Sequence, residues 1–169
     1  MKYSPSRGDR KSANNPAKEA DSRVANFHFD NGKIKWKEFV TEGCYYRILN
    51  VNIPAHSTDF LVKFEPGSRC LYHRHVAPTT SLVLEGALHV LEQMPDGKEV
   101  RKIKPAGTFS SGAENEIHIE GAEGDGAIVY FSLRGTDDHI YDLLNTDLTL
   151  RKAITTQDFD KDWAYWDRK

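Results

Sequence analysis

Two histidines separated by one residue, His73 and His75 in LYHRHV, carry the plainest chemical potential in this chain. Their surroundings read as a β-strand, where side chains two apart share a face. Two imidazoles on one face can hold a single divalent ion if that face is the inside of a barrel. On any other face they are structural. His28, His56 and His139 fall in tail or turn sequence, and His89, in LEGALHVLE, reads as barrel wall or surface. Cys44 and Cys70 form no C-x-x-C pair. Cys70, three residues before His73, reads as a small buried apolar residue. The glycines of GAEGDG at 121–126 have the wrong spacing for a dinucleotide-binding loop and read as a surface turn.

The elements that must position these residues are short strands separated by turn chemistry. Phe60, Val62 and Phe64 alternate with Leu61 and Lys63 ahead of Pro66-Gly67, which predicts a strand with one buried face. LVLEGALHVLE at 82–92 is a second apolar stretch, with Gly86 marking a bend or a close backbone approach. Met94-Pro95-Asp96-Gly97 predicts a hairpin leading into a strand that ends at Lys104. Ile117-His118-Ile119 is strand-like, and Ala127 to Leu133 forms another strand. Strands at this spacing with little helix between them predict an all-β sandwich or barrel. A helix is expected to start between Asp147 and Ala153. The C-terminal aromatics Trp163, Tyr165 and Trp166 are expected to cap a core edge or pack at a subunit interface, with a substrate lid as the alternative. The acidic run from Asp158 to Asp162 reads as a solvated face.

The chain has 169 residues and a formal charge of −2, the size of one domain. Residues 1–26 hold only Val24 from the set Leu, Ile, Val and Phe, with six Lys/Arg against three Asp/Glu. Such a segment cannot offset its ordering entropy and is expected to be a disordered polar tail, leaving 27–169 as a single domain with an aromatic C-terminal extension. No run approaches the ~20 apolar residues of a membrane helix. The N-terminus has no apolar segment of signal-peptide type, and the charge gives no footprint for nucleic acid. The expectation is a soluble cytoplasmic domain that binds a small molecule, with neither nucleic acid nor membrane as partner.

The stretch GSRCLYHRHVAPTTSLVLEG resembles the first motif of the cupin superfamily, G-x5-H-x-H-x3,4-E-x6-G, at Gly67, His73, His75 and Gly86. Thr79 stands where that motif has its glutamate. The second motif, G-x5-P-x-G-x2-H-x3-N, is matched in part, at Gly97, Pro105 and Gly107, with seven residues instead of five between Gly97 and Pro105 and Ser110 in place of its histidine. In AGTFSSGAENEIHIEG, His118 lies eleven residues past Gly107. That interval is similar to a subgroup that includes acetylacetone dioxygenase and 2,4'-dihydroxyacetophenone dioxygenase. Gly112 stands where those relatives carry a further glutamate, and Ala113 and Glu114 replace two prolines.

The resemblance implies an all-β cupin double-stranded β-helix, a jelly-roll barrel, with a metal held by His73, His75 and His118. Three neutral ligands would leave a divalent ion its full +2 charge and up to three open positions, which suits an anionic bidentate oxygen ligand plus dioxygen. Fe(II) is the expected metal, with Zn, Ni or Mn as the other candidates. The implied function is dioxygenase cleavage of a C–C bond in a small β-diketone or hydroxy-ketone. The alternatives are a non-enzymatic metal- or ligand-sensing cupin and a non-redox isomerase or lyase. Tyr72, Arg47, Glu116 and Tyr130 are candidates to orient the imidazoles. No catalytic side chain and no organic cofactor site is identified. A homodimer is expected from the exposed sheet edges of such barrels.

Overall fold

A computed structural model describes residues 28–112 and 114–167; the tail expected over 1–26 lies outside them. Among the described residues, ten strands and one helix follow in chain order. They are β1 (Lys37–Glu38), β2 (Cys44–Asn52), β3 (Ser57–Phe64), β4 (His73–His75) and β5 (Thr79–Gln93), then β6 (Glu99–Pro105), β7 (Phe109–Gly112), β8 (Ile117–Arg134), β9 (His139–Leu144) and β10 (Leu150–Thr155). The helix, α1, spans Thr156–Asp167. All strand pairs are antiparallel, in a sheet whose path runs β1-β2-β3-β8-β4-β9-β10, with β5 joining β6, β7 and β8. The sheet curls on itself into an all-β half-barrel, as the resemblance implies.

The curl depends on two long strands, β5 and β8, that run beside each other and break register together near Gly86. Gly86 has φ +69°, and a Cβ there would lie 2.0 Å from the Gly126 carbonyl oxygen. Only glycine fits, so the bend read from the sequence is a close crossing of two backbones. Beyond it β5 pairs with β6 through the Met94–Gly97 turn, in which the Gly97 N–H donates to the Met94 carbonyl. Phe60 and Val62 of β3 face the interior cavity, but Leu61 on the other face is also buried, so the strand is not one-sided as its alternation predicts.

The end of the chain differs from expectation. Residues 150–155 form β10 against β9, and the helix starts only at Thr156. Asp147 accepts hydrogen bonds from the Thr149 N–H and hydroxyl, closing a turn with Leu148 at φ +64°. The helix start is a capping box. The Thr155 hydroxyl accepts from the Asp158 N–H, and the Asp158 carboxylate accepts from the Thr155 N–H. Asp162 is likewise no solvent-only residue, since it accepts from the Tyr46 hydroxyl at 2.6 Å and pairs with Lys37 at 2.8 Å. Those contacts seat α1 on the barrel. Trp166 packs edge-on against Tyr46 and donates to the Lys35 carbonyl, while Phe159 packs on Phe60 and Tyr141. Phe159 and Trp166 therefore join the core, Trp163 packs against it, and Tyr165 stays exposed.

Candidate metal centre

Strand β4 is three residues long, and its alternation sends His73 and His75 inward while Arg74 points out. Arg74 is fixed there by the buried Asp142 carboxylate of β9, which also accepts from His139. Across the sheet, His118 of β8 is the register partner of His73. The three imidazoles are buried, and one ring nitrogen of each falls within 4.8 Å of the others. Ring centroids are 4.4 to 5.0 Å apart. The sequence thus supplies His73 and His75 locally, and the β4–β8 pairing supplies His118.

The hydrogen bonds on the outer side of each ring fix which nitrogen faces inward. The His73 Nδ1 lies 3.1 Å from the Leu71 carbonyl, which only accepts, so this nitrogen carries the proton. The Thr79 hydroxyl donates to the Ala77 carbonyl, so its oxygen accepts from the His75 Nδ1–H. Both Nε2 atoms therefore present lone pairs, and they face each other at 3.1 Å. Two lone pairs at that distance repel unless a cation lies between them. Burial holds the His73 pKa down to about 4 and that of His75 to about 3, with His118 lowered further, so a proton does not serve at neutral pH. Two nitrogens on one ion at ~2.1 Å and a right angle sit ~3.0 Å apart, which matches the observed spacing. Neither ring nitrogen of His118 has a hydrogen-bond partner. A buried imidazole left in that state is costly without an ion. The donor set fits a divalent metal.

The sequence does not single out the carboxylate beside the cluster. Glu120, two residues past His118 and on the same face of β8, places one oxygen 3.7 Å from His73 Nε2 and the other 3.7 Å from His118 Nε2. Burial pushes its carboxyl up to about 7. Its signal was the period-2 spacing from His118, the same one that links His73 to His75. The residues expected to orient the imidazoles do not do so. Tyr72 bonds Glu99, Tyr130 bonds Asp59, and Arg47 lies over Trp166. Glu116 contributes only its backbone carbonyl, to the His75 N–H. The orienting groups are the Leu71 carbonyl and Thr79, the latter at the position where the cupin motif has glutamate. Cys70 is only partly buried, less than expected. Its sulfur accepts from the Glu120 N–H, and burial raises its thiol pKa well above the ordinary value.

His73, His75 and Glu120 open onto an interior cavity of about 70 Å³, walled by Phe60, Val62, Phe131, Leu133, Tyr141 and Phe159. One water needs ~10–15 Å³ on this measure, so there is room for roughly five to seven non-hydrogen atoms. Burial, with the acidic groups of Cys70, Asp158 and Asp162 nearby, raises the Tyr141 hydroxyl pKa, so it stays protonated. An outer cleft of about 310 Å³ between α1, β1 and β10 shares Phe39, Tyr46, Tyr141, Leu143 and Phe159 with the cavity. Those side chains stand between cavity and solvent.

The sequence profile of the ChrR cupin-like domain matches residues 24–135, more than half of the chain. The chain is a cupin. No curated protein matches it. Among solved structures, this cupin is similar to an RmlC-like cupin protein from Ralstonia eutropha, at 12% identity and TM-score 0.64, covering 86% of this chain and 89% of that one. It is also similar to an acetylacetone dioxygenase from Acinetobacter johnsonii, at 12% identity and TM-score 0.63 over 98% and 99% of the two chains. A mutant oxalate decarboxylase from Bacillus subtilis matches at 17% identity and TM-score 0.52, over 63% of this chain and 29% of the other. These likenesses show the cupin fold, shared by proteins of different chemistry, so the reaction must be argued from the site. Among the described residues no helix is long and apolar enough to cross a membrane.

Proposed function

We propose that this cupin is an Fe(II)-type dioxygenase that cleaves a C–C bond in a small β-diketone or hydroxy-ketone. One observation carries the reading: inward-facing imidazole lone pairs meet at the wall of an apolar cavity sized for about five to seven non-hydrogen atoms. His73, His75 and His118 would hold the ion. When bound, it supplies a Lewis-acid face for a chelating pair of oxygens and a path for electrons to dioxygen. The Leu71 carbonyl and the Thr79 hydroxyl keep two of the rings in the tautomer that presents Nε2. Phe60, Phe131 and Phe159 exclude water, which strengthens the interaction between a chelated anion and the site. The likeness of fold to an acetylacetone dioxygenase supports the same reading.

The test is metal content after anaerobic Fe(II) loading and desalting, for wild type and His118→Ala, followed by oxygen uptake with diketones and hydroxy-ketones. The expected result is near-stoichiometric iron in wild type, largely lost in the variant, with uptake only in wild type. Equal retention in both proteins refutes the three-histidine site. Iron binding without oxygen uptake on any such substrate refutes the enzyme and returns the chain to the metal-sensing or non-redox readings.

A further inference from the structure

We infer that Glu120 is a fourth ligand of this metal centre, a carboxylate supplied by β8 in place of the one missing at Thr79. The inference rests on the metal site proposed above. Its two oxygens do not share a partner: Oε1 faces His118 Nε2 and Oε2 faces His73 Nε2, each at 3.7 Å. A ligand oxygen and nitrogen at ~2.1 Å from one ion lie ~3.0 Å apart at a right angle and ~3.4 Å apart at a tetrahedral angle. A shift of about half an ångström therefore brings either oxygen into the shell, well within the reach of a glutamate side chain. Among the described residues no N–H or O–H donates to this carboxylate. Glu120 is only 8% exposed, and Lys104, the cation whose charge reaches it, forms no ion pair with it, so the carboxylate is left without a direct partner on the side of the imidazoles.

The backbone leaves Glu120 little freedom to face elsewhere. Its N–H donates to the Cys70 sulfur and its carbonyl accepts from the Cys70 N–H, which ties this part of β8 to the segment leading into His73. Its neighbour Gly121 pins the same crossing, since a Cβ there would lie 2.4 Å from the Ser68 carbonyl oxygen. Thr79, at the usual glutamate position, is committed to His75 and to the Ala77 carbonyl. Coordination by Glu120 lowers the charge of the site from +2 to +1. On an octahedral ion it leaves two open positions instead of three, enough for a chelating pair of oxygens but not for dioxygen beside it.

Cobalt(II) is the probe, because its visible absorption reports ligand number and type while a competing chelator reports affinity. Wild type, Glu120→Gln and His118→Ala are compared. The expected result for Glu120→Gln is roughly 10–100-fold weaker Co(II) binding together with an altered visible spectrum. Unchanged affinity and spectrum overturn the assignment while leaving the three-histidine site standing, and weaker binding with an unchanged spectrum overturns it equally. Wild type that takes up no Co(II) overturns the metal centre itself. Should Glu120→Gln fail to fold, wild type labelled with carbon-13 glutamate decides. Zinc loading must then shift a glutamate carboxylate stretch in the infrared difference spectrum, and no shift overturns the assignment.

Discussion

Replacing Thr79 by valine isolates the orienting role of one hydroxyl, because the branched shape stays and only the oxygen goes. Two hydrogen bonds disappear, from the His75 Nδ1–H to the hydroxyl and from the hydroxyl to the Ala77 carbonyl. Both lie in the interior, with Thr79 and His75 buried. A buried donor left without a partner costs about 1–3 kcal/mol. For a domain of this length, where 1 kcal/mol moves the midpoint by ~2–4 °C, the expected loss is about 5 °C in the melting temperature of metal-free protein. The larger effect is on metal binding, because His75 is no longer held with Nε2 inward. Loss of such a contact weakens metal affinity roughly 10–100-fold. Chelator competition with Co(II), on wild type, Thr79→Val and Thr79→Ser, measures it. Serine keeps the hydroxyl and is expected to bind metal close to wild type. A valine variant that binds Co(II) within twofold of wild type refutes the orienting role and, with it, the tautomer assignment at His75.

Further expectations concern the backbone crossing and the protonation of the cluster. Gly86→Ala places a Cβ against the Gly126 carbonyl at a positive φ, and is expected to cost more than the ~1–3 kcal/mol of an unfavourable φ alone, read by urea denaturation. A smaller loss would mean that the two strands separate easily at the bend. Metal-free protein is expected to lose stability as pH falls from about 6.5 to about 4.5. The unfolded chain protonates its histidines near 6.5, whereas folded His73 and His75 stay neutral until about 4 and about 3. Each contributes a slope of about 1.4 kcal/mol per pH unit in that window. Glu120 opposes them, because its folded pKa of about 7 makes the native state keep a proton that the unfolded chain releases above 4.5. Two histidines against one glutamate leave a net loss of at least about 1.4 kcal/mol per unit on acidification, and a flat denaturation midpoint across that range would contradict it.

Local pattern decided a good part of this protein. Period-2 alternation put His73 and His75 on one face, and the proline and glycine between Met94 and Gly97 set a hairpin. A lone glycine in an apolar strand marked the crossing at Gly86. The true helix start is written in the Thr155-x-x-Asp158 capping box, whereas the start expected between Asp147 and Ala153 falls partly on residues that pair as β10 with β9. Pairing of β4 with β8 sets His118, named from the sequence only through the cupin resemblance, opposite His73. Two things came only from the tertiary structure. The same pairing brings Glu120 to both His73 and His118. Seating of α1 makes Phe159 part of the wall of an interior cavity and packs Trp166 behind Tyr46, another of its walls. Side-chain alternation is a property of one strand and can be read along the chain. Which strands become neighbours, and in what register, is set by burying apolar surface between segments far apart in sequence, and nothing local in those segments records the choice.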